Sequence, residues 1–560
     1  TVKATQFGAY VGITDIALPL LGQAGITIDG SLTAGTLPPS DTVPHQPGPT
    51  GTLELFTFGS DVFETFKGSV TTGWLGGAIN CSLLLNNGNN DISAIGAPFG
   101  LSVRGGNFFL ADNAKLVVNG KVEATFPNAV IDIIDTAGPG SSTSPITAIS
   151  IKGGSLSAGR FLPPDPNADG TVVLTTTQPY ADVTEPNGYI AAHILEGSIG
   201  GSLHLSNPGN RIDRIGSVLG LVAGGDLTFR DSLPVTADGL VKAGDGRLLQ
   251  LMAPSITLDP GGVLTANASV ASTGPTTFDV TPGVIALQAD AMSLAFGTIN
   301  APDGRVAIAP LNHLMLPSGI ILSLDPIKDT DPTHLSLTQA DLDSIHTLGS
   351  TTGPLGTQTL TLGSLDGVKP DPNTAQLQIN TNLYQFGGIA RTLELLSAGD
   401  LVTVGAYTAT APHPIGGLST SGDLLLVNRQ NLDVLTSVQA GKYAEIDVLP
   451  GDLSVTGSVT AGNVLLRAGD SSISGNVAIN GSVAATNGEA DLVAGMSYTP
   501  GTFHPAPQFT LGATAPGSAG RIAINGSING GTVGLYSAND TVETGSITAG
   551  LLTGQAGVPP

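Results

Sequence analysis

The chain has 560 residues, more than one ordinary hydrophobic core supports, so it is either multidomain or an elongated repeat array. With 41% hydrophobic and only 11% charged residues it is apolar enough to fold, which excludes composition-driven disorder. The formal charge of −24 excludes nucleic acid and anionic membranes as partners by repulsion, and the single cysteine, Cys81, excludes a disulfide framework or a metal site built from several cysteines.

The 77 glycines, the Val, Ile, Leu and Ala background and the absence of a long amphipathic period predict an all-β chain. No window approaches the roughly 20 uninterrupted apolar residues of a transmembrane helix, so no membrane span is expected. Thr1 opens no basic n-region with an apolar h-region, and the expectation is a mature or excised segment of a longer chain.

Along the chain a short phrase keeps returning. It reads Gly30-Ser31-Leu32-Thr33-Ala34-Gly35, then Gly154-Ser155-Leu156-Ser157-Ala158-Gly159. Later copies are Gly457-Ser458-Val459-Thr460-Ala461-Gly462 and Gly545-Ser546-Ile547-Thr548-Ala549-Gly550. Looser ones begin at Gly120, Gly481 and Gly526. Each is a strand too small to bury its branched side chain alone, and stacking of such units is the mark of a solenoid. From Gly457 to Gly481 is 24 residues and from Gly526 to Gly545 is 19, the length of one coil of a parallel β-helix.

A longer repeat is superimposed. Leu85-Asn86-Asn87-Gly88-Asn89-Asn90-Asp91-Ile92-Ser93-Ala94-Ile95-Gly96 matches Leu205-Ser206-Asn207-Pro208-Gly209-Asn210-Arg211-Ile212-Asp213-Arg214-Ile215-Gly216 at an offset of 212 − 92 = 120. Each is followed by a Gly-Gly strand, at Gly105-Gly106 and Gly224-Gly225. The expected fold is a right-handed parallel β-helix, a β-solenoid with Pro-rich loop or hairpin insertions. Super-repeat 1 covers 1–150 with a Pro-rich insertion at 36–51. Super-repeat 2 covers 151–300 with an insertion at 160–188. An irregular Asp/Pro-rich region covers 301–375, and a degenerate third super-repeat covers 376–560 with a loop at 496–519.

The chemistry is sparse. Asp165-Pro166-Asn167-Ala168-Asp169-Gly170 opens like an EF-hand loop, so Asp165, Asn167 and Asp169 are candidate ligands of a low-affinity Ca²⁺ site. Thr176 stands where such a loop needs Glu, and a plain Asx-turn is the alternative. Asp329, Asp331, Asp341 and Asp343 form a second acidic cluster. No other cofactor is expected. Arg211, Asp213 and Arg214 are the best charged cluster, and the matching strand of the first super-repeat carries Asp91, Ser93 and Ala94 instead. Phe56, Phe58, Phe63, Phe66 and Trp74 fall in one segment that reads as a local core, with a cap or docking patch as the alternative. No nucleophile elbow, P-loop or dinucleotide fingerprint stands in suitable context, so the chain reads as no enzyme.

The pattern N-x-x-N-x-I-x-x-I-G, then G-G-[DN]-[LF], with recurring G-S-[LVI]-T-A-G resembles the filamentous-haemagglutinin-like exoproteins of the two-partner secretion family. It covers most of 80–300 and 375–550. The family's N-P-N-G-type secretion motif is not evident, so the segment is more like a shaft. The resemblance implies a right-handed parallel β-helix, an extracellular or cell-surface location and an outer-membrane transporter as partner. The expected role is an adhesin shaft or a self-assembling extracellular filament subunit, associating end to end or laterally or meeting a host-cell or matrix surface. The rival is a polysaccharide-binding or polysaccharide-cleaving β-helix of passenger or tailspike type.

Overall fold

A computed structural model describes residues 2–4, 9–15, 24–35, 51–138, 140–159, 169–272, 278–311, 319–322, 334–349, 358–365, 376–379, 389–390, 392–396, 400–403, 413–415, 418–420, 423–428, 431–434, 437–448, 451–469, 474–486, 488–496 and 520–557. The chain divides into two compact units, Thr1–Ala266 and Asn267–Pro560. Both are parallel β-solenoids. The one helix among the described residues, Gln339–Asp343, is far too short to cross a membrane.

In unit 2 the coil is plainest. Leu453–Val455, Ser458–Ala461 and Asn463–Ala468 form three sides of one turn. Each side pairs in parallel with its counterpart in the next turn, Val477–Ile479, Ser482–Ala485 and Glu489–Ala494. The recurring phrase is one rung of this ladder. Ser458 faces Ser482, Ser482 faces Ser527, and Ser527 faces Ser546. In unit 1 Lys121–Ala124 lies against Ser155–Ala158 in the same way. The branched residue of each phrase (Leu32, Val122, Leu156, Val459, Val483, Ile528) points inward and is buried. Burial of each such side chain contributes on the order of 2 kcal/mol, and rungs about 4.8 Å apart leave no room for water between them.

The super-repeat has a structural meaning that its sequence does not announce. Ser69–Ile79 is an eleven-residue strand bent across two sides of the coil. Its second half, Trp74–Ile79, lies against the single straight strand Thr52–Thr57 below. Above, it meets two strands, with Trp74-Leu75 opposite Ala94-Ile95 and Gly77–Ile79 opposite Leu101–Val103. The loop 96–100 stands between them, so one long side becomes two short ones. Tyr189–Ile199 repeats this. It lies against Thr171–Thr176 below and is divided above between Arg211–Ile215 and Leu221–Ala223.

A glycine makes the division possible in each copy. Gly77 and Gly197 sit at φ +130° and +142°, and their N–H groups donate to Gly100 O and Gly220 O at 2.9 and 2.8 Å. Gly96 and Gly216 close the other end of the loop by donating to Leu75 O and Leu195 O, both at 3.0 Å. These backbone conformations are open to glycine and costly for other residues.

Some insertions are shorter than proline content suggests. Within 160–188, Thr171–Thr176 and Ala181–Thr184 are full members of the coil ladder. Pro179 and Pro186 sit in the corners beside them, where no ladder amide is needed. Within 301–375, Thr359–Leu362 pairs with both Arg305–Ala309 and Thr392–Leu396. A true hairpin departs at Ser269–Ser272 and Phe278–Thr281, which pair antiparallel. The aromatic segment is not a buried local core, because Phe58, Phe63 and Phe66 are exposed and Phe66 is 85% accessible.

Candidate functional site

Three groups of polar side chains stand out. The first is internal and duplicated. Asn90, fully buried, accepts the Val70 N–H at 2.7 Å and donates to Glu64 Oε2 and Ala111 O, both at 3.0 Å. Asn210 does the same with Ile190 N–H at 2.8 Å, Glu185 Oε2 at 2.8 Å and Arg230 O at 3.1 Å. The glutamates also accept backbone amides, from Asn87 at 3.0 Å and Asn207 at 3.2 Å. One coil further on, Asp112 accepts the Ile92 N–H at 2.9 Å and Asp231 accepts the Ile212 N–H at 2.8 Å. The corner of each coil is thus tied to its neighbour by a Glu–Asn–Asp ladder that satisfies backbone groups the bend leaves over.

The ladders are poor in positive charge. Burial pushes Asp112 up to about 8, with Asp135 and Asp91 adding repulsion against its amide donors. Burial likewise takes Asp135, Glu185 and Asp231 to about 7, and raises Glu64. Glu64 Oε1 and Glu185 Oε1 are both buried without a hydrogen-bond partner. Carboxyls in this setting favour the protonated form.

The second group lies on an outer corner of unit 1. His193 Nδ1 is 2.9 Å from Asp213 Oδ2, and Arg214 Nη1 donates to Asp238 Oδ2 at 2.7 Å and Asp259 Oδ2 at 3.1 Å. The sequence cluster of Arg211, Asp213 and Arg214 is therefore part of a longer array over neighbouring coils, with Arg211 itself exposed. The first super-repeat folds the same way with Gly73, Ser93 and Ala94 in the corresponding places, so the fold does not require these charges. His193, Asp238 and Asp259 were not legible as members, since they are 20 to 45 residues from their partners.

The third group is in unit 2. In Tyr443–Val448, Asn463–Ala468 and Glu489–Ala494 the outward positions are as buried as the inward ones. Leu465, Val493, Met496 and Ala538 pack together on this outer face with Tyr443 and Tyr536. Among them Arg467 Nε donates to Asp447 Oδ1 at 2.9 Å, and its Nη2 bonds the other carboxylate oxygen. Burial pushes Glu445 upward, helped by Asp447 and opposed by Arg467. Asp491 is taken to about 7, by burial first and Glu489 second. Removing the guanidinium leaves the buried Asp447 beside Glu445 with no cation to balance it, so Arg467→Ala should destabilise unit 2 by about 3–5 kcal/mol. Urea unfolding followed by far-ultraviolet circular dichroism checks this, and a loss under about 1 kcal/mol contradicts it.

Of the Ca²⁺ candidates, Asp165 and Asn167 lie outside the described residues. Asp169 accepts the Asn128 N–H at 3.3 Å, bracing a neighbouring corner. In the second acidic cluster Asp329 and Asp331 also lie outside the described residues. Asp341 caps the short helix, accepting from Thr338 N–H at 3.0 Å and Leu294 N–H at 2.7 Å, and Asp343 accepts from Gln339. Among the described residues no three His, Cys, Asp or Glu side chains converge as a metal site.

No protein-family model, no curated protein and no solved structure matches the chain.

Proposed function

We propose that this chain is a non-catalytic structural protein, secreted to or displayed on a bacterial surface, serving as an adhesin shaft or as the subunit of an extracellular filament. One observation carries the reading. The polar residues that the two super-repeats share, Glu64/Glu185, Asn90/Asn210 and Asp112/Asp231, bond backbone groups of neighbouring coils. What duplication has kept is the machinery of stacking, which is what a shaft requires. The resemblance to two-partner-secretion exoproteins supports the extracellular location and an outer-membrane transporter as partner. Low-affinity Ca²⁺ binding at the 165–170 loop belongs to the same proposal.

The second reading, a polysaccharide-binding or polysaccharide-cleaving β-helix, is favoured by the charged corner of His193, Asp213 and Arg214, which only one super-repeat carries. Negative-stain electron microscopy of the purified chain, with and without EDTA, separates the readings. Uniform fibres or rods are expected. Compact particles that deplete or shorten an added polysaccharide would overturn the structural reading, and loss of fibres in EDTA would assign Ca²⁺ a role in assembly.

A further inference from the structure

Seven asparagines in this chain are followed directly by glycine, and six of these pairs fall wholly among the described residues, Asn487 lying outside them. In such a pair the glycine nitrogen can reach the asparagine Cγ, because the glycine carries no Cβ to block the approach. Reaction then needs two freedoms. The side-chain amide must be able to turn back onto the main chain, and no acceptor must hold the attacking N–H.

Most of the pairs lack these freedoms. Asn87 Nδ2 donates to Phe66 O at 3.0 Å and Gly68 O at 2.7 Å, and its Oδ1 accepts the Asn89 N–H at 3.2 Å. Asn480 Oδ1 accepts from Asn525 Nδ2 at 2.9 Å, and Asn525 Oδ1 accepts from the Thr544 hydroxyl at 2.9 Å. The glycine amides of those two pairs, Gly481 and Gly526, donate to Val455 O and Ile479 O, both at 2.8 Å. Asn529-Gly530 lies within the paired strand Ser527–Ser537. Asn119-Gly120 is a two-residue corner between Leu116–Val118 and Lys121–Ala124, each clamped by the rungs above and below.

Asn187 is different. It is exposed, and among the described residues its side chain makes no hydrogen bond and the Gly188 N–H has no acceptor. It stands in the longer corner 185–188 between Ala181–Thr184 and Tyr189–Ile199. Stacking does not require it, since Lys67-Gly68 precede Ser69 where Asn187-Gly188 precede Tyr189.

We propose that Asn187 is a site of self-modification, with water as the co-reactant. The Gly188 nitrogen bonds to Asn187 Cγ, the Cγ–Nδ2 bond breaks, and the proton of the Gly188 N–H leaves with Nδ2 as ammonia. Water then adds to one carbonyl of the cyclic imide and one of its two C–N bonds breaks, leaving aspartate or isoaspartate. Either product places a carboxylate close in sequence to the buried Glu185. Isoaspartate also inserts a methylene into the main chain before Gly188, whose carbonyl accepts Asn207 Nδ2, and so before the bent strand that starts at Tyr189. The chemistry does not depend on the structural role proposed above.

The test incubates the full-length protein at pH 7.5 and 37 °C, folded and in parallel unfolded in concentrated urea. Protease digestion and mass spectrometry read conversion at each asparagine, with isoaspartate identified by electron-transfer fragmentation. In urea all the Asn-Gly pairs should convert. On folding, Asn87, Asn480, Asn525 and Asn529 should slow by at least about tenfold, while Asn187 slows by less than that and is the fastest site. Asn187→Lys, which installs the residue of the first super-repeat, should remove the main deamidated species with an unchanged circular dichroism spectrum. Slowing of Asn187 by tenfold or more on folding, or conversion of Asn87 as fast as Asn187 in the folded chain, would overturn the proposal.

Discussion

Unit 1 should be markedly more stable at pH 5 than at pH 9. Four of its carboxyls, Asp112, Asp135, Glu185 and Asp231, are almost wholly buried and titrate at about 8, 7, 7 and 7 in the folded chain. In the unfolded chain such groups titrate near 4. A folded-state value above the unfolded one means that the native state binds the proton more tightly. The resulting stability is fully present below about pH 4 and is lost as pH rises through 7 to 8. A carboxyl that titrates near 4 unfolded and at about 7 folded contributes about 4 kcal/mol in this way. Neighbouring groups interact, so the four do not add fully, and a loss of about 5 kcal/mol or more between pH 5 and pH 9 is expected. Relief of the −24 net charge on acidification acts in the same direction.

No cation among the described residues bonds these four carboxyls, so no ion pair offsets the effect. The charged groups that bear on them are carboxylates: Asp91 and Asp135 on Asp112, Asp231 on Glu185, and Asp213 on Asp231, Asp213 being held by His193. The single tryptophan, Trp74, lies in unit 1, so its fluorescence during urea unfolding reports that unit alone. Asp112→Asn and Asp231→Asn cannot ionise and should flatten the pH dependence. A midpoint equal at the two pH values, or higher at pH 9, would refute the account.

How much of this was legible in the sequence follows from the range of each interaction. The coil was legible because its signal is local. A glycine corner, an inward branched residue and a spacing of 24 or 19 residues led to Ser458 over Ser482 and Ser527 over Ser546. The Asn-x-x-Asn phrase was visible as a repeat but not as a buried ladder, because Asn90 meets Glu64 across 26 residues and Val70 across 20. Prolines at 179 and 186 suggested an insertion where the chain only turns a corner between Thr171–Thr176, Ala181–Thr184 and Tyr189–Ile199. The covered outer face of unit 2 broke the alternation rule, since Leu465, Arg467 and Val493 occupy outward positions yet are buried.

Gly197 is the site of the most damaging single change. Gly197→Val should destabilise unit 1 by about 4 kcal/mol or more, enough to leave much of it unfolded at 37 °C. Two independent costs combine. At φ +142° a β-branched residue is strained by about 1–3 kcal/mol. Its Cβ would also lie 1.9 Å from Leu174 O and 2.8 Å from the Leu174 carbonyl carbon, backbone atoms of the rung below that no rotamer can avoid. Relief requires Tyr189–Ile199 to lift from Thr171–Thr176, which opens six register pairs. The loop above would lose its anchor too, since Gly197 N–H holds Gly220 O. Gly88→Ala is the matching control, because a Cβ there meets nothing within 4 Å, and it should change stability by no more than about 0.5 kcal/mol. Trp74 fluorescence in urea reads both variants on the same unit. If Gly197→Val unfolds within about 1 kcal/mol of the parent, the division of the long side around Gly197 is not what holds these coils in register.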